Sequence, residues 1–394
     1  MTAWGGGASE QPAAVRALRR ALGADEVSHA WLVVGPPSVG QEDLAKGLAM
    51  ALNCEQAAAP DAGCATCERC QRILRGSHEL LESRQPAGSQ YVVDDVRDDW
   101  IRPASRSITD GRRRVVRITA ADRMNEASQN AFLKVLEEPP PSVVWLLEVE
   151  DESVLLDTVV SRCRRLTVVP WGLAALRDRA GALEIPAARV EALARVALGS
   201  PDRLATLAED GVAEARDDHL AILDGLATGG PGQVIPMVKD LTSWAKGRVA
   251  PLKERHAAEL AQLEEDFGVD ARGKGWPPGM KAQVQRRHDR LERGEQRRAL
   301  GMVLDNLATY LRDLLVVASD GDSDALVNVD HLDDLERDAQ RLPAAAVVTG
   351  LQAVERCRAA LERNGNPELQ FERLLLALAL PIYAHAATAA RADR

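Results

Sequence analysis

The sequence predicts an α/β domain with a parallel sheet covered by helices on both faces, followed by an all-helical region. Three observations carry that reading. Short, nearly continuous apolar runs alternate with helical patterns through residues 1–170, as a parallel sheet with crossover helices requires. The strand signal stops near Leu173, and apolar residues then recur at helical spacing. A glycine-framed turn follows the first apolar run and opens a helix.

The expected strands are Ala30–Val34, Arg114–Ile118, Val143–Leu147 and Leu166–Val169. Each is short and rich in β-branched or aromatic residues, as buried parallel strands are. Helical spacing follows over 43–52, 190–198, 220–226, 234–244, 300–317 and 369–380. Gly199-Ser200-Pro201-Asp202 reads as a helix stop and a new start. Two charged arms, Leu252–Phe267 and Met280–Arg298, flank a tip containing Gly273, Trp276, Pro277 and Gly279. They predict a helical hairpin in solvent over 246–298, either a plain solvated element or a docking arm.

Composition excludes several classes. Hydrophobic content of 46% with 27% charge is that of a globular chain. Aromatic content of 3% disfavours platforms that stack single-stranded bases. With 59 acidic against 49 basic residues, the net charge of −10 disfavours general DNA binding by the whole surface. The opening MTAWGGGASEQPAAVRALRR holds no signal-peptide run and no later stretch suits a membrane span, so a cytoplasmic protein with no membrane partner is expected.

In a reducing compartment cysteines favour metals over disulfides. Cys54, Cys64, Cys67 and Cys70 form a C-x9-C-x2-C-x2-C pattern, joined by an Ala- and Pro-rich loop. Two-residue gaps let thiolates converge, and four sulfurs suit a closed, structural Zn²⁺ site. An Fe–S cluster and four unpaired thiols are the alternatives. The seven histidines are scattered without metal-ligand spacing. Cys163 and Cys357 read as packing residues.

The glycine-framed turn, Gly35 to Gly40, has the G-x-x-x-x-G form of a phosphate-binding loop. A working loop continues with Lys for the phosphates and Ser or Thr for Mg²⁺. Here Gln41 and Glu42 stand there. The apolar strand that should end in two carboxylates ends in Thr119-Ala120. Both changes remove groups that ATP hydrolysis uses.

Further on come Ala121-Asp122-Arg123-Met124, then Gln129-Asn130-Ala131-Phe132-Leu133-Lys134-Val135-Leu136-Glu137-Glu138-Pro139-Pro140, then Ser161-Arg162-Cys163. Gly76-Ser77-His78, Val93–Arg97 and Asn364–Leu369 continue the pattern. In that order these motifs resemble the AAA+ subunits of bacterial clamp loaders. The resemblance implies an AAA+ core over 1–170 with a zinc module at 54–70, a helical lid over 171–210 and a collar over 211–394. It implies a DNA polymerase III component that does not hydrolyse ATP itself. Its partners are then the ATPase (gamma/tau) and delta subunits in a five-membered ring, with the sliding clamp and primed DNA bound by the assembly. Arg162 is then an arginine finger offered to a neighbour's ATP, the alternative being a structural salt bridge. Arg203 lies in the helix where that family keeps a nucleotide-sensing arginine, but with no nucleotide to sense a surface role is expected, and Lys134 with Glu137–Glu138 lies either at a subunit boundary or on a solvated face. An active ATPase with unorthodox residues, and a zinc-dependent nucleic-acid binder, are the competing readings.

Overall fold

The computed structural model describes residues 4–392, apart from 57–62, 77–79, 87–89, 105–107, 109–111 and 270–273. The side chains of 95, 99 and 383–392 are likewise left undescribed. Most of the loop between the first two cysteines, the Ser77-His78 pair and Gly273 therefore lie outside the described residues. The chain forms two compact units that meet in sequence between Leu207 and Ala208. Among the described residues, no helix is long and apolar enough to cross a membrane.

The first unit carries five parallel strands, β1 (Ala30–Val34), β2 (Leu81–Arg84), β3 (Arg114–Ile118), β4 (Val143–Val149) and β5 (Arg164–Thr167), in the order β2-β3-β4-β1-β5. The helices are α1 (Pro12–Gly23), α2 (Gln41–Asn53), α3 (Glu68–Leu74), the short α4 (Arg102–Ala104), α5 (Glu126–Glu137), the short α6 (Asp157–Val160), α7 (Leu173–Ala182), α8 (Ala187–Val196) and α9 (Pro201–Leu207).

Alternation along β1 explains how the sheet is covered. Trp31 and Val33 join one core with Leu18, Leu44, Leu48 and Ile73, while Ala30, Leu32 and Val34 join the other with Trp100, Phe132 and Trp145. Both faces are buried, as the parallel architecture demands. The second core concentrates the chain's scarce aromatics. Tyr91, Trp100, Phe132 and Trp145 form an edge-to-face chain with centroids 4.7, 5.8 and 5.1 Å apart, a geometry that adds to area burial.

Two strand assignments differ from expectation. β2 was not expected, and β5 runs two residues earlier than the predicted Leu166–Val169. Both are edge strands, and edges tolerate charge on their open side. β2 reads Leu-Glu-Ser-Arg with no buried position. In β5 the Arg164 guanidinium lies 5.1 Å over the Trp31 ring, so a charged residue enters the ladder without losing contact.

The second unit is helical, with α10 (Val212–Leu220), α11 (Ile222–Gly229), α12 (Val234–Asp266), α13 (Met280–Ala318), α14 (Leu332–Arg341), α15 (Ala344–Glu362) and α16 (Pro367–Ala392). Its core runs through Leu226, Leu241, Leu300, Leu304, Leu307, Leu311, Val354, Phe371 and Leu375. The helix expected over 220–226 is divided by a turn at Ala221.

The expected hairpin arms are the outer parts of two much longer helices, of 33 and 39 residues. Buried residues in α12 end at Val249 apart from His256, and in α13 begin at Ala299 apart from His288. Beyond the core the arms are held by a polar seam. The His256 and His288 rings stack 3.9 Å apart, and each meets a glutamate of the opposite arm, Glu292 at 2.9 Å and Glu259 at 2.8 Å.

His219 on α10 is buried, with Asn306 Nδ2 3.2 Å from its Nδ1 and the Trp244 ring edge-on at 4.8 Å. Burial pulls its pKa down from 6.5 to about 4. Between those values the unfolded chain binds the proton that the folded chain refuses, so stability falls as pH falls through that window. Denaturant unfolding of the full chain is therefore expected to lose about 2 kcal/mol between pH 7 and pH 5 through this group. His219→Gln, which keeps an acceptor for Asn306, should flatten that part of the dependence. An unchanged pH slope in the variant places the acid sensitivity elsewhere.

Candidate functional site

The carboxyl ends of the parallel strands are where an α/β sheet builds its sites. Here the central strand β1 runs directly into the glycine-framed loop and then α2. Gly35 has φ 147°, and a Cβ there would meet the Val168 carbonyl oxygen at 2.2 Å. Gly40 has φ 119°, and its Cβ would lie 2.4 Å from the Gly7 carbonyl oxygen. Both positions therefore require glycine, the second because the 3₁₀ turn Gly6–Glu10 lies directly on the loop.

That covering is extensive. The Gly7 N–H donates to Asp43 Oδ2 at 2.6 Å. Gln11 Nε2 donates to the carbonyls of Val39 at 2.9 Å and Val169 at 2.7 Å. Trp171 Nε1 donates to the Val39 carbonyl at 2.9 Å, and Ser200 Oγ to that of Ser38 at 3.2 Å.

Gln41 closes the loop from within. It is 3% exposed. Its Oε1 accepts from the Val39 N–H at 2.8 Å and its Nε2 donates to the Pro36 carbonyl at 2.6 Å. The carboxamide thus uses a backbone amide of the kind that a phosphate needs. Glu42 turns outward to Lys46 at 2.7 Å, whose hydrogen bond holds its carboxyl below the usual range.

Behind the loop, Arg117 of β3 reaches Glu42 at 3.5 Å and grips Glu148 of β4 with two nitrogens, Nη2 to Oε2 at 3.1 Å. Burial pushes the Glu148 carboxyl up, and Arg117 opposes that shift. Asp202 at the start of α9 is also pushed up by burial. Thr119 is tied to the edge of the sheet. Its N–H and Oγ1 both reach the Arg84 carbonyl, at 3.0 and 3.1 Å, and its carbonyl accepts from Tyr91 Oη at 2.8 Å. Ala120 takes a left-handed φ of 48° that turns the chain out of the sheet.

Arg162 lies just after α6. Nη1 donates to the Thr158 carbonyl at 3.0 Å and Nη2 to Glu137 Oε1 at 2.9 Å. Its side chain is 37% exposed, and its partners are not residues of the loop. Neighbouring Cys163 is pushed up to about 12 by burial, which makes it an inert thiol. Lys134 and Glu138 on and after α5 line a shallow depression with Arg97 and Ile101. Arg203 sits half-buried in α9, its N–H donating to Ser200 Oγ at 3.1 Å.

The four cysteines come together. Their sulfurs all lie within 4.8 Å of one another, and none is in a disulfide. Cys54 caps the end of α2, Cys67 precedes α3, and Cys70 is buried within α3. Backbone N–H groups of Gln56 and Cys64 point at the Cys54 sulfur at 3.4 and 3.3 Å, and those of Thr66 and Cys67 at the Cys64 sulfur at 3.4 and 3.2 Å. Hydrogen bonding from Thr66, then Cys67, pulls Cys64 down to about 6, while burial pushes Cys70 up. Convergent sulfurs with N–H donors aimed at them fit a tetrahedral metal site. A second cluster, Asp217, Asp330 and His331, also comes within 4.8 Å. The buried Arg216 donates to both Asp330 oxygens, at 2.8 and 2.9 Å, so its charge is already compensated.

Sequence reasoning placed the loop, the cysteines and Arg162, but missed the residues that close the loop. Gln11, Asp43, Arg117, Glu148 and Trp171 belong to no motif. The Gly5-Gly6-Gly7 run was the signal available, since clustered glycines mark close backbone approach.

Two family models match. One described as DNA polymerase III, delta subunit, covers residues 10–171, and one described as DNA polymerase III, delta subunit, C terminal, covers 293–379. The chain belongs to the clamp-loader subunit family of DNA polymerase III. Among relatives, the delta' subunit of Pseudomonas aeruginosa is 37% identical over 48% of this chain and 58% of its own length. The delta' subunit of Bacillus subtilis is 31% identical over 43% and 50%. The tau subunit of Bacillus subtilis is 25% identical over 91% of this chain and 58% of its own length. The chain thus spans about half the length of the curated relatives it matches. Within the family assignment, the outer hairpin up to residue 292 falls between the two matched stretches.

Protein purified without chelator is expected to carry one metal ion per chain by native mass spectrometry, and Cys67→Ser to lose it. Hydrogen exchange should then rise in the last turn of α2 and in α3. Visible absorption from the purified protein points to iron and sulfur instead, and a metal-free chain with unchanged exchange removes the site.

Proposed function

We propose that this chain is the delta-prime subunit of the DNA polymerase III clamp loader. It does not hydrolyse ATP, and it supplies Arg162 in trans to a neighbouring ATPase subunit. The observation that carries the reading is the closed loop. Gln41 is bonded to the loop backbone on both sides, and Arg117 stands between Glu42 and Glu148. A triphosphate entering there would displace Gln41 and bring its anionic oxygens against Glu42, with no lysine at position 41 to hold them.

Arg162 has the opposite character. It is half-exposed and, among the described residues, held only by one carbonyl and one exposed carboxylate, an exposed pairing worth less than about 1 kcal/mol. A planar, permanently charged guanidinium so held exchanges readily for the oxygens of a neighbour's phosphate. Such an arginine stabilises the charge that develops in phosphoryl transfer. The partners in this reading are the gamma/tau and delta subunits in a pentameric ring, with the sliding clamp and primed DNA held by the assembly. The metal is structural Zn²⁺ on Cys54, Cys64, Cys67 and Cys70, where it joins the end of α2 to α3 and leaves no open position for chemistry.

One observation favours a second reading, an active ATPase, because the tau relative aligns over 91% of this chain. Fluorescent ATP analogue binding to the isolated chain separates the two. The delta-prime reading expects none at micromolar concentration, and binding that Gln41→Lys leaves unimproved would favour an unorthodox ATPase. In the reconstituted loader with clamp and primed DNA, Arg162→Ala is expected to lower turnover by about 10³-fold while gel filtration shows the ring intact. Unchanged turnover in an intact ring withdraws the trans role.

A further inference from the structure

The outer hairpin runs against the charge of the whole molecule. Residues 246–298 hold thirteen Lys and Arg against nine Asp and Glu, in a chain whose net charge is −10. The excess lies on the second arm. Between Met280 and Arg298 stand seven basic residues, six of them arginine, against three acidic ones.

Their placement is ordered. Arg286, Arg290, Arg293 and Arg297 follow one another at intervals of four, three and four residues within the continuous helix α13. At 3.6 residues per turn they fall within about 60° of one another and span about 16 Å of helix. The residues that meet α12 are on the other side. Lys281 bonds Glu264 at 2.9 Å, His288 bonds Glu259, and Glu292 bonds His256. The stripe therefore lies opposite these seam contacts, with Arg293 at its edge bordering a groove that Lys246 and Lys253 of α12 also line. Arg286, Arg290 and Arg293 are exposed and Arg297 half-exposed.

Pairing separates Arg286, Arg290 and Arg293 from the other arginines of the arm. Off the stripe, Arg287 is paired with Glu259 and Arg298 with Glu295. On it, Arg286, Arg290 and Arg293 meet no carboxylate among the described residues, and Arg293 Nε donates to the Asp289 carbonyl at 3.1 Å. Asp289 is the carboxylate that flanks the stripe. Glu292 and Glu295 are already engaged by His256 and Arg298.

We propose that this arginine face of α13 is a binding track for the phosphate backbone of duplex DNA, independent of sequence. Each DNA strand presents a phosphate about every 3.4 Å of axis, so a 16 Å row meets several in succession. Guanidinium binds phosphate oxygens bidentately where a lysine acts as a point charge. The aromatic residues of the hairpin are Phe267 and Trp276 at the tip, whose rings lie 5.7 Å apart. No ring lies along the stripe to stack unpaired bases, which favours duplex over single strands. The track belongs to the isolated chain and does not depend on ring membership or on Arg162.

The test is fluorescence anisotropy of the full chain with a labelled duplex across a salt series. Arg286→Gln/Arg290→Gln/Arg293→Gln is expected to weaken binding equally for unrelated sequences and to reduce the slope of log affinity against log salt by roughly 3. Arg287→Gln/Arg298→Gln removes charge off the stripe and should change that slope far less. Circular dichroism checks that each variant folds. If the triple variant does not, the single variants Arg286→Gln and Arg290→Gln should each lower the slope by roughly 1. No duplex binding by the wild type at low salt overturns the proposal, as does an unchanged slope in the folded stripe variants. Tighter binding to single strands overturns the duplex assignment, and stripe-dependent binding of poly-glutamate without DNA binding assigns the face to an acidic protein.

Discussion

Glu148 stands next to the last residue of β4 with its side chain 12% exposed, and a carboxylate so placed is tolerable because Arg117 on the neighbouring strand meets both of its oxygens. Removing one partner of such a pair costs about 3–5 kcal/mol, because the other charge is left in a poorly solvated place. The same guanidinium reaches Glu42 at the start of α2. One cation thus ties β3, β4 and α2 at the edge where the sheet presents its site. It also supplies positive charge in a place where a nucleotide site keeps its metal and lysine. The two carboxylates at this edge are thus compensated by a cation from the sheet itself.

The closure of the loop follows the same logic with neutral groups. An α-helix begins with N–H groups that lack partners, and a phosphate is one way to satisfy those around the loop. Here Gln41 bonds the Val39 amide and Asp43 bonds Gly7. Each is a side chain near the start of α2 folding back on backbone close by. The close approach of Gly7 to Gly40 adds a steric term, because no side chain fits at either residue without displacing backbone.

What was legible in the sequence divides along these lines. β1, β3 and β4 are buried on both faces, so their composition announces them, whereas edge strand β2 carries Glu and Arg and announces nothing. The cysteine site was legible because metal chemistry constrains both residue type and spacing. Gln41 and Glu42 were legible as departures from a motif. The function of Gln41 as a clasp was not, since that depends on where the Pro36 and Val39 backbone groups point. Arg117 and Glu148 are 31 residues apart on adjacent strands, and only strand order brings them together. The hairpin was legible as helix because of its charge pattern, but its continuity with the core helices was not. Apolar periodicity fades past Val249 while the backbone continues, held by the His256–His288 seam.

These parts meet in α2. Its first residues, Gln41 to Asp43, are bonded to the loop, to Lys46 and to the N-terminal turn. At its other end Asn53 Oδ1 accepts from the Arg112 and Arg113 N–H groups at 2.7 and 3.0 Å, and Cys54 begins the thiol cluster. The helix is thus held by side-chain bonds at both ends, the clasp at its start and Asn53 with the thiol cluster at its finish. The bonds to Gly7, Arg112 and Arg113 reach backbone distant in sequence, so one helix ties the loop after β1 to the strand edge at Arg112 and Arg113.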